Sequence, residues 1–278
     1  MNRLIATIIC VLFAINTIYA QDVISVENLA KDLKNTNLVI VAAGPDTEYA
    51  KSHITGAINI PYTAFDKAGD IEGLLVADAE MAKILGEKGV TEKNTIVVYD
   101  EFDGRYAARI YSLLKYMGAA DVKVLDGGME AWKKGRKPIT RNPSTLSKAT
   151  FNASPKKAMM ATMEDALKSG IVLIDTRAGA EFNGTDPKSK GHLPNAINIE
   201  YKELLTADGM LKSKAEIEKV YAAKGVTKDK AIVLYCSTGV RTGLHYLAMV
   251  NMLGYTNVKI FDGGYNEVAK KTPGSIVK

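Results

Sequence analysis

Ala231-Ile232-Val233-Leu234-Tyr235-Cys236-Ser237-Thr238-Gly239-Val240-Arg241 is the stretch from which the rest of the chain can be read. Its apolar opening predicts a buried strand. The strand delivers one cysteine to a short loop. The pattern then changes to helical spacing, with apolar residues at Leu244, Leu247, Ala248, Val250, Met252 and Leu253. A thiol at such a junction faces free backbone N–H groups and the positive end of a helix dipole. Both favour the thiolate, the nucleophilic form of cysteine. Gly239 suits a loop whose backbone must turn tightly inward.

Working outward, the chain repeats itself. Ser52-His53-Ile54-Thr55-Gly56-Ala57-Ile58-Asn59-Ile60 matches Gly191-His192-Leu193-Pro194-Asn195-Ala196-Ile197-Asn198-Ile199. Ile96 to Tyr99 matches Ile232 to Tyr235, and Asp126-Gly127-Gly128 matches Asp262-Gly263-Gly264. The period is too long for a solenoid, so a duplicated domain is expected, with copies at 22–140 and 158–278. The Pro-, Ser-, Thr- and Lys-rich segment 141–157 reads as a linker. Apolar runs at Ile171–Ile174, Ala231–Tyr235 and Val258–Phe261 predict strands, and Lys214–Ala223 and Gly243–Leu253 predict helices. This alternation implies an α/β fold, a parallel sheet flanked by helices in each copy. Ligands of such sheets bind beyond the carboxyl ends of the strands, where Cys236 lies. Asp100 occupies the place of Cys236 in the first copy, Asp103 that of Gly239 and Arg105 that of Arg241. A carboxylate cannot act as a thiolate nucleophile, so the first copy is expected to be silent.

Length suggests about two domains. The net charge of +5 is spread without a Lys/Arg block, which points to small anionic ligands and not to nucleic acid. Residues 1–20 have the basic start, apolar centre and Ile18-Tyr19-Ala20 end of a secretory signal peptide. The apolar run is shorter than a membrane span needs. A secreted or periplasmic protein with no membrane attachment after cleavage is therefore expected. Loss of Cys10 with the signal leaves Cys236 as the one thiol, so no intrachain disulfide is available. Three scattered histidines and one thiol have no zinc spacing, and no cofactor is expected.

The tandem organisation, the Asp in place of Cys, the repeated His-x-x-x-Ala-Ile-Asn-Ile segments and the Asp-Gly-Gly turns resemble the two-domain rhodanese family of sulfurtransferases. That family includes thiosulfate and 3-mercaptopyruvate sulfurtransferases. The resemblance covers essentially the whole chain after the signal. It implies two tandem rhodanese-like domains and transfer of sulfane sulfur through a Cys236 persulfide. The donor would be a small anion such as thiosulfate or 3-mercaptopyruvate, and the acceptor cyanide or a thiol. The N–H groups of Ser237, Thr238, Gly239, Val240 and Arg241 would stabilise the sulfur anion in the manner of an oxyanion hole.

Other residues keep two readings each. Arg241 either grips an anionic donor with its planar fork or braces the loop. Arg177, in Asp175-Thr176-Arg177, either binds substrate or forms a local ion pair with Glu181. Glu181 stands where mercaptopyruvate and animal thiosulfate enzymes carry a substrate-binding arginine. Thr238 either shares a proton relay with His53 or caps the following helix. His53 recurs as His192, which suggests a fold role, yet it is also the candidate for reaching an interdomain cleft. Two rivals remain: an exported persulfide carrier serving a protein partner, and a phosphatase or arsenate reductase of related fold. The latter place five residues between Cys and Arg, whereas four intervene here.

Overall fold

The computed structural model describes residues 22–278. The expected signal peptide at 1–20 lies outside the described residues. The first copy is a five-stranded sheet in the spatial order Val23–Ile24, Asp121–Leu125, Thr95–Tyr99, Leu38–Ala42, Ile58–Asn59. The second runs Met160–Ala161, Val258–Phe261, Ile232–Tyr235, Val172–Asp175, Ala196–Asn198, which is the same topology. All neighbours in both sheets are parallel. The central strands are buried throughout, which explains their unbroken apolar character.

The repeated sequence motif is a set of structural ties. Asn59 Nδ2 donates to the Ala42 and Gly44 carbonyls, and Asn198 Nδ2 to those of Asp175 and Arg177. Each asparagine thereby pins the loop that leaves the neighbouring strand. His53 stacks on Tyr49 at 3.7 Å and His192 on Phe182 at 3.7 Å. Tyr99 and Tyr235 accept from the Ile54 and Leu193 amides, respectively.

Segment 141–156 has no regular helix or strand, but it is strapped to the first copy. Phe151 is buried, Ala149 donates to the Gly86 carbonyl, and Ser154 donates to that of Met117. The Lys214–Ala223 helix forms as the sequence suggests. The segment after Cys236 differs. It is α-helical only over Thr242–Tyr246 and widens to a π-helix over Leu247–Met252, where the Leu253 amide reaches back five residues to Ala248.

The copies share one core. Ala107, Ala108 and Ile110 of the Arg105–Met117 helix join Leu244, Leu247 and Ala248 in a single buried cluster. A Cβ on Gly243 would overlap the Ala108 carbonyl oxygen, so the two helices cross backbone to backbone. His245, fully buried on the same segment, faces the Tyr221 hydroxyl through Nδ1 at 2.9 Å. Burial pushes its pKa down to about 3. The unfolded chain takes up this proton near pH 6.5, while the folded chain refuses it. Stability is therefore expected to fall between pH 6.5 and 3, with a slope of about 1.4 kcal/mol per pH unit from this one group. Melting temperatures from pH 7 to 4.5 check this, and His245→Gln should flatten the profile.

Candidate active site

Cys236 follows the central strand of the second sheet and is fully buried. The turn behind it explains the Asp-Gly-Gly repeat. Gly264 has φ +51°, and a Cβ there would overlap the Cys236 carbonyl oxygen. The Tyr265 amide donates to that same carbonyl at 2.8 Å. In the first copy Gly128 and Met129 hold the Asp100 carbonyl in the same way. The turn is thus a support for whichever residue occupies that strand end.

The two aspartates of these turns also lock the copies together. Asp262 accepts the Leu75 amide at 2.9 Å, and Asp126 accepts the Leu211 amide at 2.9 Å. Asp262 further pairs with Arg109 at 3.0 Å, and this fully buried guanidinium lies 3.8 Å from Asp66. Burial raises the pKa of Asp262, and the Arg109 charge opposes that rise. Arg109 lies beneath Gly239 so closely that a Cβ on Gly239 would overlap it, and Gly239 has φ +74°. Position and conformation both demand glycine there.

The first copy shows what such a loop can hold. The Asp100 carboxylate accepts from the amides of Phe102, Gly104, Tyr106 and Ala107, at 3.2, 3.0, 2.9 and 3.2 Å. Burial and the Asp103 charge raise its pKa, and these N–H groups pull it back. Thr238, Val240, Thr242 and Gly243 stand at the same offsets from Cys236. Among the described residues, their amides donate to no protein acceptor. The second loop therefore presents N–H groups that its own side chain does not satisfy.

Between the copies lies a cleft of about 380 Å³. Thr238, Val240 and Arg241 of the loop line it, and Cys236 is buried behind them. Ser237 faces sideways, its hydroxyl accepting from Arg241 at 3.0 Å and donating to Glu181 at 3.3 Å. Arg241 is held at both Nη atoms by Glu181. Burial opposes its charge, but Glu181 and the Cys236 sulfur hold its pKa above the ordinary value. Glu181 in turn is kept ionised by Arg241 against the effect of its burial. The cation beside Cys236 is thus braced, and it also adds positive charge near the sulfur.

Three expectations need correction. Arg177 does not pair with Glu181 and does not reach the cleft. It is fully buried, bound to Asp175 at 2.6 Å, to Ser189 and to the Gly191 carbonyl, and Tyr265 lies over it. The local spacing to Glu181 misled because Asp175, two residues away, is closer in the folded chain. His53 is also absent from the cleft. Its ring nitrogens face the carbonyls of Tyr49 and Asn142, at 2.8 and 3.1 Å, and it pairs with Thr140 in a two-stranded ladder. It secures the end of the first copy and cannot share a relay with Thr238. Thr238 does not cap the helix either, since the Thr242–Tyr246 helix begins at Arg241 without a side-chain cap. It packs instead against Gly73 of the first copy, where a Cβ would overlap it.

The residues that sequence reasoning missed come mostly from the first copy. Tyr62, Arg105 and Tyr106 line the cleft, with Tyr201 facing them from the second copy. Arg109 carried a signal in hindsight, as an arginine inside the buried, mostly apolar stretch from Ala107 to Leu114.

Comparison with known proteins agrees with this architecture. Residues 25–135 and 159–271 each match the family model of the Rhodanese-like domain. The chain belongs to the rhodanese family. Thiosulfate sulfurtransferase of Gallus gallus is 31% identical over 237 residues, covering 81% of each chain. A mycobacterial protein of Mycobacterium tuberculosis, named as a candidate thiosulfate sulfurtransferase, is 29% identical and covers 88% of this chain and 93% of its own. The crystal structure of SseA from Escherichia coli, a 3-mercaptopyruvate sulfotransferase, superposes with a TM-score of 0.81. It is 26% identical, and the match covers 88% of this chain and 99% of SseA. Among the described residues, no helix is long and apolar enough to cross a membrane, and no cluster of His, Cys, Asp or Glu is arranged to hold a metal ion.

Proposed function

We propose that this rhodanese-family chain is a sulfurtransferase that carries sulfane sulfur on Cys236. The observation that carries the reading is the contrast between the loops. In one copy the amides clasp a carboxylate, and in the other the corresponding amides surround a lone thiol and are free to hold an anion. With thiosulfate, the Cys236 thiolate attacks the outer sulfur. A new S–S bond forms to Cys236, the donor's S–S bond breaks, and sulfite leaves with the electron pair. The terminal sulfur of Cys236–S–S⁻ then sits among the amides of Thr238 and Val240, which stabilise its charge without reorganising. Cyanide or a thiolate attacks that sulfur in the second half, and the Cys236 thiolate is regenerated. Splitting the transfer in two is covalent catalysis.

Ser237, Gly239 and Arg241 shape and charge the loop, while Thr238 and Val240 face the incoming donor. 3-Mercaptopyruvate is a second candidate donor, by analogy with SseA. Export to a secreted or periplasmic location is part of the proposal and rests on residues 1–20 alone. Initial rates of thiocyanate formation, with thiosulfate and cyanide both varied, provide the test. Parallel double-reciprocal lines are expected. Intersecting lines would mean that both substrates bind together, which contradicts a stored persulfide.

A further inference from the structure

We propose that Arg105, on the copy that lacks the cysteine, holds the anionic end of the sulfur donor. The inference rests on the sulfurtransferase reading above and adds a specificity residue to it.

Arg105 differs from three other buried or half-buried arginines, each matched by a carboxylate at hydrogen-bond distance. Arg177 is bound by Asp175, Arg109 by Asp262 and Arg241 by Glu181. Arg105 is not. Its nearest carboxylate, Asp103, is 3.7 Å away and already accepts the Tyr201 hydroxyl at 2.8 Å. What positions Arg105 is neutral. It donates to the hydroxyls of Tyr201 and Tyr106 at 3.2 and 3.1 Å and lies 4.7 Å from the centre of the Tyr106 ring. Tyr106 is itself stacked on Tyr62 at 4.0 Å. These contacts orient the fork, and Asp103 balances its charge only across the longer gap. They use two of the five N–H donors of a guanidinium. The side chain remains 37% exposed and lines the same cleft as Thr238 and Val240.

The duplication explains how this group came to face the cleft. Arg105 stands where the second copy has Arg241. Aligned through the paired strands, Glu48 stands where the second copy has Glu181. In the second copy those two positions form an ion pair. In the first, Glu48 is taken by Lys51 at 2.6 Å, and Arg105 turns to the cleft. The walls also carry Asp66, Glu72 and Glu200 against Arg105, Lys202 and Arg241, so the formal charges cancel. A general positive field is therefore not what selects an anion. Lys202 makes only a loose contact with Tyr201, 6.0 Å from its ring centre. Arg105 is the cleft cation held in place without a carboxylate at hydrogen-bond distance, with the geometry to grip a sulfonate or carboxylate through two parallel hydrogen bonds.

The test is thiosulfate binding measured by calorimetry on the Cys236→Ser protein, which cannot turn over. Adding Arg105→Gln should weaken binding about tenfold or more, the size of a lost charge-assisted hydrogen bond. Arg105→Lys should recover part of the loss and serves if the Gln variant folds poorly. In the active enzyme, Arg105→Gln should raise KM for thiosulfate while kcat stays within about twofold, the signature of lost uniform binding. Unchanged affinity in Arg105→Gln, or no binding of thiosulfate to Cys236→Ser at all, overturns the proposal. Failure of the parent enzyme to take up sulfur would instead overturn the functional reading, and the binding series would still decide the role of Arg105.

Discussion

The Cys236→Ser protein is expected to form thiocyanate from thiosulfate at less than about one-thousandth of the parent rate, because the atom that stores the sulfur is gone. Asp100→Asn, at the equivalent place in the first copy, is expected to keep more than half. The two positions share a strand end, a supporting Gly-Gly turn and a ring of amides, so the pair isolates the chemistry of the side chain from its setting. Asparagine is the better substitute for Asp100. Alanine would strand four amide donors in a buried site and add a folding defect to the comparison. Steady-state rates of both variants, with melting curves to show that they fold, provide the measurement. Full activity in Cys236→Ser, or equal losses in both, would contradict the assignment of catalysis to the second copy.

The largest effect on stability is expected at Arg109. This guanidinium is fully buried, pairs with Asp262 of the other copy and lies beneath Gly239 of the cysteine loop. Removing one partner of a buried ion pair leaves the other charged and unmatched, at a cost of about 3–5 kcal/mol. Arg109→Met should therefore lower the melting temperature by about 10 °C. The double variant Arg109→Met with Asp262→Asn should recover part of this, because the stranded carboxylate is removed. Asp262 already has a raised pKa through burial, so it is the group that would protonate in the single variant. The deficit of Arg109→Met relative to the parent should then narrow as pH falls towards 5. A loss under 1 kcal/mol by denaturant titration would show that the apolar helix crossing, and not this pair, joins the copies.

Much of the fold was legible because the chain states it twice. The strand runs, the Asn-Ile segments and the Asp-Gly-Gly turns follow local rules and recur in register. The same recurrence pointed the right way at His53. Repetition in both copies marked a fold role, the stacking and carbonyl contacts of His53 and His192, and not a place in the cleft. The place of Cys236 after a buried strand was legible from strand, loop and helix spacing. Its surroundings were not, because they are assembled from remote parts of the chain. Glu181 meets Arg241 across 60 positions, Arg105 meets Tyr201 across 96, and Arg109 meets Asp262 across 153. Periodicity and local charge spacing carry no information at that range, while Arg177 was matched to Glu181 because helical spacing was weighed ahead of Asp175, two residues away.

The most direct test of the central claim is the intact mass of the protein before and after thiosulfate, and again after cyanide. Sulfur storage on Cys236 predicts a gain of one sulfur, about 32 Da, that is lost on addition of cyanide and is absent in Cys236→Ser. Thiocyanate production with no such gain, or a gain that persists in Cys236→Ser, would contradict it.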